Sequence, residues 1–189
     1  MQAPHVITRS NTQGHLAVLY ESPQERLKLL ASYFQEGVAR NEMCVLVTSE
    51  HIDEVLEDFL SLGFDAKSAV DTGALRIFEA EQTYLPDGTF VSGYMLENVR
   101  NFLDEASSLG YDGLRTAGEM SWISVHPESI AEAIHYESDV NSICDAHQDF
   151  VGLCLYPAQQ TSAGMLRDVM QTHPSFVHNG APQLSPYYA

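Results

Sequence analysis

Residues 43–48, MCVLVT, are apolar at nearly every position. A run this short and this continuous suits a strand covered on both faces, as in a parallel sheet. Comparable runs recur at 15–20 (HLAVLY), 74–80 (ALRIFEA), 113–119 (GLRTAGE) and 150–156 (FVGLCLY). Between them, apolar residues return at helical spacing. Leu27, Leu30, Ala31, Phe34 and Val38 mark one helix, and Val55, Leu56, Phe59, Leu60 and Leu62 a second. Met95, Val99, Phe102, Leu103 and Ala106 mark a third. Ser22 is placed to cap the first helix, with Pro23 at its first position and Glu25 at the capping-box spacing. Gly63 and Gly110 end the second and third. His126, Pro127 and Glu128 open a fourth helix reaching about residue 147, and 163–170 reads as a fifth. The segment 83–93 reads as a loop turning at Pro86-Asp87-Gly88. Alternating strands and helices predict an α/β fold, three-layered, with a mainly parallel central sheet and helices on both faces. The expected organisation is an N-terminal arm at 1–13, a single domain at 14–180 and a C-terminal tail at 181–189.

Ligands of such sheets gather at the carboxyl ends of the strands, and nucleotides need a glycine-rich first turn. Here that turn is YESPQER, 20–26, with no glycine and no GK[ST], and with Glu21 where phosphate would approach. Its backbone N–H groups cannot wrap a phosphate, so ATP hydrolysis by the usual route is not expected. Charge narrows the partners further: 26 acids against 9 bases give a formal −17. Such a surface repels nucleic acid and anionic membranes. Two readings of the acidity stay open. One is adaptation to concentrated salt, where the Debye length shrinks to about 3 Å at 1 M; the other is docking to a basic partner. Only Lys28 and Lys67 are lysines, which favours the first. Cys44, Cys144 and Cys154 are odd in number and form no CxxC, as expected of reduced, buried thiols in a cytoplasmic chain. No apolar stretch has the length of a signal peptide core or a membrane span.

Arg115 and Glu119 share one face of an extended strand, yet stand roughly 13 Å apart at about 3.3 Å per residue. They cannot pair with each other unless Gly118 bends or bulges the chain, and Arg115 needs an acidic partner or an opening. Glu119 leaves the sheet beside Met120 and Trp122. Such surroundings can raise a carboxyl pKa and suit a general acid or base. No nucleophile accompanies it, so a pocket wall with one polar anchor fits better. Glu132 and His135 form one E-x-x-H where a di-iron bundle needs two, which leaves an exposed helix face. Glu137 and Asn141, one helical turn apart, can face a common cavity or brace a loop. Eight histidines contain no HxH, HxxxH or HExxH, so no metal site is expected, and G-x-S-x-G is absent.

The pieces H-x-A-x-L-Y-E-S, F-Q-E-G-V-A-R-N-E-M-C-V-L-V, Y-x-P-D-G-T-F, G-L-R-T-A-G-E-M-S-W, Y-E-S-D-V-N, L-C-L-Y-P and T-H-P follow one another from about residue 14 to 188. In that order and spacing the chain resembles the MEDS domain, a sensory module of methanogens and methylotrophs found in a dichloromethane-responsive repressor. The resemblance implies a RecA-like fold whose phosphate loop has degenerated. It also implies a non-catalytic sensor of small hydrocarbon-derived molecules, without a cofactor. Ligand-binding positions implied on this basis are Tyr20, Arg115, Glu119, Trp122, Tyr136, Glu137, Asn141 and Tyr156. His15, Cys154 and His173 are motif residues with no implied role. Family members join kinase or transcription-regulator modules, and no such output segment is recognised here. The expected partners are therefore a small organic ligand and a separate histidine kinase or transcription regulator, with self-association possible. The acidity resembles that of proteins from salt-loving archaea. An atypical enzyme using Glu119 as general base and an acidic interaction module without a small ligand remain the alternatives.

Overall fold

Each of the five apolar runs is a strand in the computed structural model, which describes residues 14–178 and 181–188. The arm expected at 1–13 lies outside the described residues. The strands are Gly14–Tyr20 (β1), Glu42–Thr48 (β2), Leu75–Glu79 (β3), Gly113–Glu119 (β4) and Phe150–Pro157 (β5). Two short strands follow, Ser175–His178 (β6) and Ala181–Leu184 (β7). All join one sheet in the order β3-β2-β4-β5-β1-β6-β7, parallel throughout except where β7 turns back along β6. Both β2 and β5 are buried at every position, as the apolar residues 43–47 and 150–156 require, and the charged Glu42 at the start of β2 is buried with them. The segment read from sequence as a tail thus supplies an edge strand, with Pro182 opposite Val177. Its polar, proline-containing sequence carries no alternation by which to recognise it.

Seven helices are found among the described residues: Pro23–Ala39 (α1), Ile52–Ser61 (α2), Ala66–Asp71 (α3), Ala80–Tyr84 (α4), Ser92–Leu109 (α5), Ile130–Ala146 (α6) and Ala163–Thr172 (α7). Ser22 caps α1 as expected, its hydroxyl accepting from the Glu25 amide at 3.2 Å. Glu25 reaches one residue past the cap and accepts from the Glu21 amide at 2.8 Å. Part of the segment expected as a loop is α4, too short to show a periodicity. The fourth expected helix starts later than read, because 127–129 forms a separate 3₁₀ turn ahead of α6. Glu132, on the exposed E-x-x-H face, accepts from the Ser92 amide at 3.2 Å and from its hydroxyl, tying α6 to the start of α5. Gly110 ends α5 at φ 80°, a conformation that side-chain-bearing residues rarely adopt.

Two apolar layers sandwich the sheet. Leu30, Phe34 and Phe59 from α1 and α2 pack on one face with Leu16, Leu46 and Leu153. Leu96, Val99, Val140 and Val169 from α5, α6 and α7 pack on the other with Val47 and Leu114. No helix among the described residues is long and apolar enough to cross a membrane.

All three cysteines are buried and unbridged. Burial pushes the Cys44 thiol up to about 12. An ordinary thiol near 8.5 gains reactivity steeply as pH rises from 7 to 9, because the thiolate is the nucleophile. Peptide-resolved alkylation of the native protein should therefore show no such acceleration at Cys44. Labelling in urea should recover it, and fast native labelling would contradict the buried placement.

Candidate functional site

The eight positions implied as ligand-binding separate into distinct surroundings. Arg115 lies at the start of β4 with its side chain against α1. Its Nε donates to Glu42 Oε2 at 2.6 Å, and its Nη1 to the Tyr33 carbonyl at 2.9 Å and Glu36 Oε2 at 3.1 Å. The guanidinium also sits over the Tyr33 ring, 4.5 Å from its centroid. As strand geometry predicts, its partner is not Glu119. The pair with Glu42, both side chains no more than 2% exposed, rivets β4 to β2 and α1.

Glu119 closes the other end of β4. Its Oε1 accepts from Thr48 Oγ1 at 3.1 Å and pairs with Arg26 Nη1 at 3.1 Å, while Oε2 accepts from the Ser49 amide at 3.1 Å. Burial raises its pKa, against the pull of Arg26 and the Ser49 hydrogen bond. Arg26 also pairs with Glu50, and its guanidinium lies 5.7 Å from the centroid of Tyr20. Tyr20, Arg26 and Glu119 thus clamp the turn where a phosphate loop would sit. The chain's own acceptors, Ser22 and Glu25, occupy the mouth of α1. Arg26 is a site residue that sequence reading passed over; the sign was an arginine in the first turn after a strand without phosphate-binding glycines.

Trp122 and Glu119 diverge despite their proximity in sequence. Trp122 stacks on Tyr84 and Phe90, with centroids 5.2 and 5.0 Å apart, and Phe90 meets Tyr136 edge-on at 5.7 Å. Tyr84 and Phe90 flank the Pro86-Asp87-Gly88 turn, so the Y-x-P-D-G-T-F segment supplies aromatic packing, which its reading as a loop did not reveal. Tyr84 and Tyr136 also border a pocket of about 340 Å³ between the sheet and α5. Val47, Met95, Val99 and Phe102 give it apolar walls, Thr116, Asn98, Gln82 and Thr83 contribute polar groups, and Glu79 stands at its border. A neighbouring cleft of about 470 Å³ at the strand ends is bordered by Trp122 but also by Glu50, Glu79 and Glu81. Three carboxylates make that cleft unsuited to phosphate or to a predominantly apolar ligand. Glu119 borders neither space.

Glu137, Asn141 and Tyr156 come together between α6 and the sheet, joined by His15 from β1, Cys154 from β5 and His173 beyond α7. Tyr156 donates its hydroxyl to Glu137 Oε1 at 2.8 Å. Glu137 Oε2 lies 2.9 Å from His15 Nε2, 3.2 Å from Cys154 Sγ and 3.3 Å from His173 Nε2. Asn141 Nδ2 donates to the Thr172 carbonyl at 2.7 Å, and its Oδ1 lies 3.2 Å from His15 Nδ1. Glu137 is fully buried. Burial opposes its ionisation, yet His173 and the hydrogen bond to His15 hold the carboxyl well below the usual range. Burial also lowers the pKa of His15, assisted by the neighbouring His173. These contacts join residues 126 and 139 positions apart, so no local motif could announce the cluster.

Comparison with known proteins agrees with this architecture. Residues 14–174 match the family model described as MEDS, the methanogen/methylotroph, DcmR sensory domain. The transcriptional repressor DcmR of Methylorubrum extorquens is 26% identical over 163 residues, covering 84% of this chain and 57% of the repressor. The chain therefore spans little more than half of that relative's length. A KaiC-like protein from the archaeon Pyrococcus horikoshii superposes with a TM-score of 0.61 at 13% identity, over 86% of this chain and 69% of the other. At that identity the likeness concerns the fold alone, which is RecA-like.

Proposed function

The chain belongs to the MEDS family of sensory domains, and on that premise we propose that it senses a small, predominantly apolar organic molecule and signals to a separate regulatory protein. The observation carrying this reading is the 340 Å³ pocket between the sheet and α5, apolar-walled and bordered by a few polar groups. That combination is typical of small-molecule sites, where apolar area supplies affinity and sparse polar groups set orientation. The sensor reading is favoured over Glu119 catalysis because both Glu119 oxygens are engaged and the residue borders neither space described above. A histidine kinase or a transcription regulator is the proposed recipient, in line with the regulatory setting of the repressor relative.

Val99 provides the test. A Val99→Phe variant fills the pocket from α5 while keeping an apolar side chain. In a thermal-shift screen of halogenated methanes, short alcohols, small aromatics and ATP, an apolar compound should raise the wild-type melting temperature. At about a hundredfold excess over the dissociation constant the rise should be about 5–10 °C. The variant should show no rise with the same compound. A shift that survives the substitution moves the ligand elsewhere; a shift with ATP alone, accompanied by turnover, removes the sensor reading.

A further inference from the structure

The geometry points to a buried transition-metal site formed by His15, Glu137, Cys154 and His173. These residues come from β1, α6, β5 and the residue after α7, and none is more than 7% exposed. One ligand atom from each lies within 4.8 Å of every other. Four donors around a tetrahedral zinc stand about 3.3–3.6 Å apart, given metal–ligand distances of about 2.0–2.3 Å. Four of the six separations, 2.9 Å (Glu137–His15), 3.2 Å (Cys154–Glu137 and His15–Cys154) and 3.3 Å (His173–Glu137), need widening by only a few tenths of an ångström, and the other two, from His173 to His15 and to Cys154, lie within 4.8 Å.

The surrounding hydrogen bonds dictate which atoms face the centre. Because Asn141 Nδ2 donates to the Thr172 carbonyl, its oxygen is the atom turned to His15. His15 Nδ1 must then carry a proton, so Nε2 is the nitrogen that can present a lone pair inward once the ring is neutral. His173 Nδ1 lies 2.8 Å from the Val169 carbonyl, which can only accept, so that nitrogen too is protonated and Nε2 again faces inward. Buried His173 Nε2 makes no well-aligned hydrogen bond, although Glu137 Oε2 stands 3.3 Å away. Tyr156 holds Glu137 Oε1 and leaves Oε2 as the inward oxygen. Two imidazole Nε2 atoms, a carboxylate oxygen and a sulfur thus converge, and a cation would replace the His15–Glu137 and Cys154–Glu137 hydrogen bonds. Each histidine passes its outer N–H to an oxygen, the arrangement by which proteins orient metal-bound imidazole.

The donor set of two nitrogens, one sulfur and one oxygen selects a borderline ion such as Zn²⁺ over Mg²⁺ or Ca²⁺. Cys154 would bind as thiolate, releasing its proton to solvent; with Glu137 this gives two negative charges against the divalent cation. A surface cleft of about 260 Å³ bordered by His15, Asn141 and Asp145 offers a path inward. Cys154 also borders the apolar pocket, but the assignment stands whether or not that pocket takes an organic ligand.

Untagged protein stripped with a chelator and titrated with Co²⁺ should take up one equivalent. It should develop thiolate-to-cobalt charge transfer and the visible bands of tetrahedral coordination, both lost on adding Zn²⁺. Zn²⁺ at about a hundredfold excess over the dissociation constant should raise the melting temperature by about 5–10 °C. Cys154→Ser should abolish the charge-transfer band, and His173→Gln should weaken uptake at least tenfold, with folding of both checked by circular dichroism. Should Cys154→Ser fail to fold, His173→Gln with its cobalt spectrum decides alone. Absence of tight uptake by the wild type, or equal uptake by folded variants, overturns the assignment.

Discussion

Replacing Arg115 with alanine is expected to destabilise the protein by about 3–5 kcal/mol, the usual result of removing one partner from a buried ion pair. The expectation follows from the three acceptors that Arg115 serves, Glu42, Glu36 and the Tyr33 carbonyl. Its loss withdraws a cation 2.6 Å from the buried Glu42, while Arg40 remains 3.6 Å away. A domain is commonly stable by only about 5–15 kcal/mol, so a large share of the folding free energy is at stake. Urea unfolding of the variant should show a much lower midpoint with a similar slope. Arg115→Lys keeps the charge but cannot span the same acceptors with a planar fork, and should fall between the two. An alanine variant within about 0.5 kcal/mol of wild type, the range of ordinary surface changes, would show that the pair does not hold the sheet to α1.

Gly37→Ala should also destabilise, although propensity alone predicts the reverse. Alanine is favoured over glycine in a helix interior by about 1 kcal/mol. The backbone of α1, however, approaches the sheet closely at this position. A Cβ on Gly37 would lie 2.7 Å from Cys44 Sγ, 2.9 Å from Arg115 Cδ and 3.0 Å from its Nε. The groups that would have to yield are the buried thiol and the arginine held by Glu42. Overpacking of this kind costs about 1–3 kcal/mol, enough to outweigh the propensity gain. Denaturant titration gives the sign directly, and a stabilised Gly37→Ala protein would mean that α1 can move off β2. Since Gly37 and Arg115 touch, the double variant should lose less than the sum of the two single losses.

These two sites show what the chain disclosed before its structure was known. Ser22 and Pro23 announced the start of α1, and the apolar runs announced β1, β2, β4 and β5, because burial on both faces leaves a local signature. The need of Arg115 for an acid was also legible. The identity of that acid was not, because Glu42 lies 73 residues away. Elements of five or six residues, α3 and α4, are too short for a period and depend on their surroundings. The Glu119 region was located correctly at a strand end, but the orientation of its side chain toward Arg26 depends on a helix packed against the opposite face from Trp122. The histidine–cysteine cluster was hidden for a related reason. Familiar metal motifs place ligands a few residues apart on one turn or helix, whereas here the sheet order brings β1 beside β5 and lets α6 and α7 close over them.

The proline in β7 bears on how copies of this chain can meet. A sheet edge is a template on which another strand can add, and proteins block it with residues that cannot complete the ladder. Pro182 has no amide hydrogen to offer at the outermost strand, and its ring stiffens the backbone there. The missing donor disfavours edge-to-edge growth through β7 even in salt high enough to mask the chain's negative charge.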